Sequence, residues 1–172
     1  MSHTAPRVGA PITPLDIPLA GKGKTTTVGG DTGRWTMLFV YRGKHCPRCK
    51  RFLNKLEAML PEWQAHMDVV VTSADPEDRA LADQAEHGWT FDLGYGLTVD
   101  QMRDLGLYVS NPLSEAETDA PFAEPGAFAL RPDGTLMLVD ISNGPAARPD
   151  LAELLDGMIF NITNDRPVRG TA

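Results

Sequence analysis

The sequence predicts a single α/β domain, a three-layer sandwich with a central mixed sheet and helices on both faces. Three observations carry this. Two short apolar runs, TMLFVY (36–41) and MDVVVTS (67–73), have the look of buried strands, and each is followed by a helical stretch. Two later runs, AFALR and TLMLVD, are joined through Asp133-Gly134, the turn chemistry of an antiparallel hairpin. A length of 172 residues, 42% of them hydrophobic, suffices for one sizeable core and leaves little for a second.

In chain order, residues 1–30 are rich in Pro, Gly and Thr and form a leader expected to pack on the domain. Within it Leu15–Leu19 alternates like an added edge strand, and GKGKTTTVGGDTG is expected to be a loop. The domain proper spans 31–165. After the first buried strand, Cys49, Phe52, Leu53, Leu56, Met59 and Leu60 fall at helical spacing, and Pro61 is expected to end that helix. ADPEDRALADQAEHG predicts a second helix, with Asp75 as N-cap, Pro76 at its first position and Gly88 closing it. QMRDLGLYV suggests a helical turn running into an extended segment. SNPLSEAETDAPFAEPG is polar, acidic and proline-rich, a long excursion or flexible loop. After the hairpin, Leu151, Leu154, Leu155, Met158, Ile159 and Ile162 share one helical face, opened by Asp150 or Pro149. Residues 166–172 form a tail. The order β-α-β-α, insertion, β-hairpin, α is that of a thioredoxin fold.

The formal net charge of −7 makes nucleic acid and anionic membrane surfaces poor partners. No run of about 18 apolar residues suggests a membrane span. The start MSHTAPRVGAPITP lacks a basic end followed by an apolar stretch, so a cytoplasmic, reducing location is expected. There, two cysteines close together point to catalysis or metal binding rather than a structural disulfide.

Both cysteines lie in YRGKHCPRCK (41–50), where a strand hands over to a helix. Pro47 suits the first helical position, because its missing N–H would lack a partner there anyway. Cys46 then falls at the N-cap, where its sulfur faces the free N–H groups of the first turn and the positive end of the helix dipole. Arg42, Lys44, Arg48, Lys50 and Arg51 surround it in an otherwise acidic chain. All of these favour thiolate over thiol at Cys46, the expected nucleophile. Cys49 begins the apolar stripe of the helix and is expected to be less exposed and kept as a thiol. Its task would be to close a disulfide with an oxidised Cys46, since no third cysteine exists. Zinc binding remains an alternative, with His45, His66 and His87 as further ligands, and so does a purely structural pair. No metal or cofactor is required by the redox reading.

With these motifs in place, the chain resembles the alkyl hydroperoxide reductase/thiol-specific antioxidant (AhpC/TSA) family, in its peroxiredoxin-like branch carrying YRGxxCPxC, here Tyr41 to Cys49. EPGAFALRPDGTL is similar to the family's later strand, here Pro125 to Gly134. The resemblance implies a cis Pro125 packed beside Cys46 and Cys49, with backbone left free there to pair with a substrate strand. Two family positions differ. Gly43 stands where Thr or Ser is usual, three residues before the first cysteine. Glu124-Pro125 stands where an arginine is usual, which leaves Arg42 and Arg131 as replacements. Thioredoxin's buried carboxylate would fall at Val40. Glu124 is then either a substitute proton acceptor or a surface loop carboxylate.

Two functional readings follow. The first is a peroxiredoxin-like thiol oxidoreductase with Cys46, Cys49, Arg42, Pro125 and Glu124 at its site. It would reduce a peroxide or a protein disulfide and be re-reduced by a thioredoxin- or glutathione-type donor. The second is a non-catalytic binding or redox-sensing module that uses the loop around 110–125. The oligomeric state stays open, a homodimer included. GKGKTT (21–26) is no phosphate loop, because Pro18 stands where the first glycine belongs.

Overall fold

The computed structural model describes residues 6–172; the first five residues, where the expected leader begins, lie outside the described residues. Nine strands and five helices are formed among the described residues. They run β1 (Leu15–Leu19), β2 (Lys24–Val28), β3 (Thr36–Val40), α1 (Pro47–Ala58), α2 (Leu60–Gln64), β4 (Asp68–Thr72) and α3 (Glu77–His87). There follow β5 (Asp92–Leu93), α4 (Val99–Asp104), β6 (Val109–Ser110), β7 (Phe122–Ala123), β8 (Gly126–Leu130), β9 (Leu136–Ile141) and α5 (Leu151–Thr163).

The central sheet has the order β5-β4-β3-β8-β9. Strands β3, β4 and β5 are parallel, while β8 runs antiparallel to both of its neighbours, β3 and β9. Strand β3 is buried throughout and sits at the middle, which explains its unbroken apolar run. Its side chains alternate between two cores. Met37 and Phe39 face Leu53, Leu56, Trp63, Leu155 and Met158, so α1, α2 and α5 cover that side. Leu38 and Val40 face Met102, Leu105, Ile17 and Val28, so α4 and the leader cover the other. The thioredoxin-like sandwich expected from the element order is the observed architecture. No helix of the described residues is long and apolar enough to cross a membrane.

Four local expectations are corrected. The segment after Leu19 is not all loop, because Lys24–Val28 pairs antiparallel with Leu15–Leu19 as a hairpin. β-branched Thr25, Thr26, Thr27 and Val28 favour extended backbone, and the glycines around them take the turns. Pro61 does not end α1; that helix stops at Ala58, and Pro61 lies in the first turn of α2, where no N–H is needed. Asp75 does not cap α3. Pro76 occupies the N-cap with no side-chain bond, and Asp75 turns instead toward residue 44. The acidic excursion after Ser110 is closed by pairing of Val109 with Ala123 and Ser110 with Phe122. Thr118, Phe122, Ala123 and Glu124 are buried within it.

Candidate active site

The turn between β3 and α1 is built as the sequence dictates. Cys46 is the N-cap of α1 in extended conformation, Pro47 opens the helix, and the Cys49 N–H donates to Cys46 Sγ at 3.2 Å. The two cysteines form a disulfide with Cα atoms 5.3 Å apart. The expected difference in exposure is absent: Cys46 is 1% and Cys49 0% exposed. The excursion folds back over this end of the molecule, where the Phe122 ring meets the His45 ring at 4.6 Å and the Arg42 guanidinium at 4.8 Å. Burial and the nearby Arg42 charge hold the His45 imidazole below its usual range, and neither ring nitrogen has a partner among the described residues.

Gly43 has a structural task. Its φ is +119°, and a Cβ there would sit 2.7 Å from Asp75 Oδ2. The same oxygen accepts the Lys44 N–H at 2.6 Å, while Oδ1 accepts from Arg79 Nε at 2.9 Å. Buried Asp75 thus anchors the turn that presents Cys46, the Cys46 N–H itself donating to the Gly43 carbonyl at 3.1 Å.

The basic cluster divides into two groups. Arg42 pairs with Glu124 at 3.2 Å and Glu117 at 3.9 Å. Lys50 and Lys44 lie 3.3 and 3.9 Å from Asp83, a fully buried carboxylate whose desolvation raises its pKa. Three of the five cations expected to act on Cys46 therefore answer carboxylates instead. Arg48 and Arg51 remain unpaired among the described residues.

Glu124 is no surface loop carboxylate. It is buried, with Ser110 Oγ donating to Oε1 at 2.7 Å and Arg42 at Oε2. Arg42 is committed to it, and Arg131 sits elsewhere, against Asp165 at 3.1 Å and over the Trp35 ring. The cation that reaches sulfur is Arg148: its Nη2 donates to Cys49 Sγ at 3.0 Å, and its guanidinium lies 4.7 Å from the Phe52 ring centre. Burial pushes the Arg148 pKa down to about 10, which leaves it a cation at neutral pH. Cys49, expected to be kept as a thiol, thus meets a positive charge that favours its thiolate. Nothing local in the sequence marks Arg148, which lies in a turn far from the motif.

Val40 pairs with Gly126, which brings Pro125 to the cysteine end of the sheet, where it lines a cavity of about 10 Å³ with Tyr41, Phe52 and Arg148. Such a space holds about one water-sized molecule. No peptide bond among the described residues is cis, so the implied cis Pro125 is not found. Nor is the backbone there free: the Glu124 N–H donates to the Tyr108 carbonyl at 2.8 Å and the Pro125 carbonyl accepts from Ser142 at 3.1 Å. Ladder pairing with β6, β3 and β9 takes up the neighbouring residues. The one close group of metal-capable side chains among the described residues is Asp83, Glu86 and His87, which does not include the cysteines and already holds the two lysine ammoniums.

A cysteine pair that closes a disulfide at a helix N-terminus, beside a mixed five-stranded sheet, defines a thiol oxidoreductase of the thioredoxin-fold class. The AhpC/TSA family model matches residues 2–139, and the chain belongs to that family of peroxiredoxin-like, thiol-dependent oxidoreductases. No curated protein sequence matches it. Among solved structures, it is similar to a peroxiredoxin-like protein from Aquifex aeolicus, with TM-score 0.72 and 14% identity over 91% of this chain and 88% of that one. A cysteine-to-serine mutant of peroxiredoxin 6 from Arenicola marina gives 0.71 and 15%, over 94% and 76%. The Xanthomonas campestris bacterioferritin comigratory protein, described for its alkyl peroxide reduction, gives 0.69 and 18%, over 97% and 100%. At these identities the likeness is one of fold.

Proposed function

We propose that the chain reduces a small peroxide through Cys46, with Cys49 as the resolving thiol, in preference to a protein disulfide. The observation that carries this is the occupied backbone at Glu124 and Pro125. A substrate strand would have to break those bonds before pairing, whereas a peroxide needs no strand edge.

In the reduced protein the Cys46 thiolate, held at the N-cap of α1, attacks one peroxide oxygen. The O–O bond breaks, an alcohol or water leaves after taking a proton, and Cys46 becomes a sulfenic acid. Cys49, its thiolate favoured by Arg148, attacks that sulfur; hydroxide leaves as water and the 46–49 disulfide forms. Arg42 and Glu124 act as a pair that fixes the covering excursion, and Pro125 shapes the wall beside Tyr41. A thiol donor, of thioredoxin or glutathione type, then restores both thiols.

The test is a side-by-side rate, with reduced protein mixed with hydrogen peroxide and separately with an insulin-type disulfide. Peroxide should close the 46–49 disulfide at least about a hundredfold faster. Comparable rates, or a faster protein disulfide, would sink the preference.

A further inference from the structure

Four cations face one cleft. Arg48, Arg51 and Lys55 of α1, together with Arg148, line a cavity of about 340 Å³ whose apolar wall is Phe52 and the 145–149 turn. Positions 48, 51 and 55 share a helix face by their spacing. None of the four is ion-paired among the described residues, while Arg42, Lys44, Lys50, Arg79 and Arg131 all are. The acid at the rim, Asp150, spends Oδ1 on the N–H groups of Ala152 and Glu153. Four cations without an ion-pair partner, against the single carboxylate of Asp150 at the rim, leave a net positive field for an anion in a chain of net charge −7. The volume falls within the roughly 300–1,000 Å³ of small-molecule sites.

Arg148 connects this cleft to the chemistry. It lines the cleft and also donates to Cys49 Sγ at 3.0 Å, and its Nε is buried without a hydrogen-bond partner. An anion in the cleft can take the guanidinium and draw it off the sulfur, opening the way to Cys49.

We infer that the cleft binds a low-molecular-weight thiol bearing carboxylate, which attacks Cys49 to re-reduce the disulfide, a step that rests on the peroxidase cycle proposed above. The incoming thiolate forms an S–S bond to Cys49 Sγ, and the Cys46–Cys49 bond breaks with its electron pair leaving on Cys46. Cys46 is the better leaving group, because the Cys49 N–H at 3.2 Å and the helix N-terminus stabilise its anion. A second thiolate attacks the first thiol's sulfur and releases the Cys49 thiolate beside Arg148. Two donor thiolates become one small disulfide, and the protein disulfide becomes two thiolates. The occupied backbone at Glu124 and Pro125 disfavours a protein donor that pairs as a strand.

The experiment uses the oxidised full chain and three probes, mercaptosuccinate (anionic), 2-mercaptoethanol (neutral) and cysteamine (cationic), with rates expressed per thiolate. Mercaptosuccinate should be faster than 2-mercaptoethanol by about tenfold or more at low salt, and cysteamine slower. Because the screening length shrinks to about 3 Å at 1 M salt, the advantage should vanish there in the unaltered protein. It should also vanish in Arg51→Glu/Lys55→Glu and persist in Lys24→Glu, an exposed position on β2. Quenching with an alkylating agent and fragment-ion mass spectrometry should find the donor on Cys49 and the alkyl group on Cys46.

Rates independent of thiol charge, or a donor adduct on Cys46, would overturn the inference. So would a thioredoxin-type protein that reduces the chain faster than mercaptosuccinate and is unaffected by the charge reversals. Peroxide-driven closure of the disulfide is followed in the same preparations. If closure occurs without any charge preference, the cleft assignment fails and the peroxidase reading stands; if peroxide does not close the disulfide, the peroxidase reading fails.

Discussion

Arg148 Nη2 stands 3.0 Å from Cys49 Sγ, across a sequence separation of 99 residues. The contact puts a cation on the second cysteine of the motif, while the first relies on the helix N-terminus. Each sulfur therefore has its own source of anion stabilisation.

Replacing Arg148 by Met keeps much of the packing on Phe52 and removes the charge. A hydrogen bond to a charged group contributes about 1.5–3 kcal/mol, so disulfide closure should slow about tenfold or more. A sulfenic-acid trap added during peroxide oxidation should then capture Cys46 in larger yield. In a Cys46→Ser background, alkylation of Cys49 at pH 7 should slow similarly. Unchanged closure and alkylation would remove Arg148 from the cycle.

The two cysteines should fail differently. Cys46→Ser should lose peroxide consumption altogether, whereas Cys49→Ser should complete one oxidation and stop at a trappable sulfenic acid. Mass spectrometry of both variants after one equivalent of peroxide distinguishes the roles. A sulfenic acid on Cys49 in the Cys46→Ser protein, formed at the wild-type rate, would reverse them.

Gly43→Ala should be destabilising, because φ is +119° and the new Cβ would meet the Asp75 carboxylate. A strained backbone of this kind costs about 1–3 kcal/mol. At about 2–4 °C per kcal/mol for a chain of this size, calorimetry should show Tm falling by several degrees. The loop should loosen as well, with Cys46 in the reduced variant becoming more accessible to bulky alkylating agents.

His45 gives a pH dependence with a defined sign. Its folded pKa lies below the usual 6.5, from burial first and Arg42 second, so the unfolded chain takes up the proton more readily. Stability is therefore full above about pH 6.5 and is lost as pH falls from there through the folded value. Urea unfolding at pH 7.5 and 5.5 should show a loss in the wild type that is smaller in His45→Phe, which keeps the ring against Phe122. An equal loss in both would clear His45 of the effect.

The site was legible in part. CPRC after an apolar run and before a helical stripe placed Cys46 at the N-cap and Cys49 one turn in, because capping and helical periodicity are local properties. Glu124, Arg42 and Asp75 were readable as residues of interest but not as partners of one another. Asp75 looked like a cap because it precedes Pro76 at the start of a helical stretch, yet its carboxylate accepts from the Lys44 N–H and from Arg79 instead. The acidic excursion looked flexible because its composition is polar, and only Phe122 within it hinted at burial.

The sequence by itself determined the order of the core elements β3-α1-β4-α3 and β8-β9-α5, the parallel-then-antiparallel sheet they make and the pair of cysteines at a strand–helix turn. These follow from hydrophobic period, turn chemistry and capping, each written within a dozen residues. Tertiary structure alone decided which charges reach which sulfur. It committed Arg42, Lys44 and Lys50 to carboxylates, carried Arg148 to Cys49 and gathered four cations at one cleft. Coulomb forces act through space, and proximity between side chains far apart in the chain is set by how the layers pack.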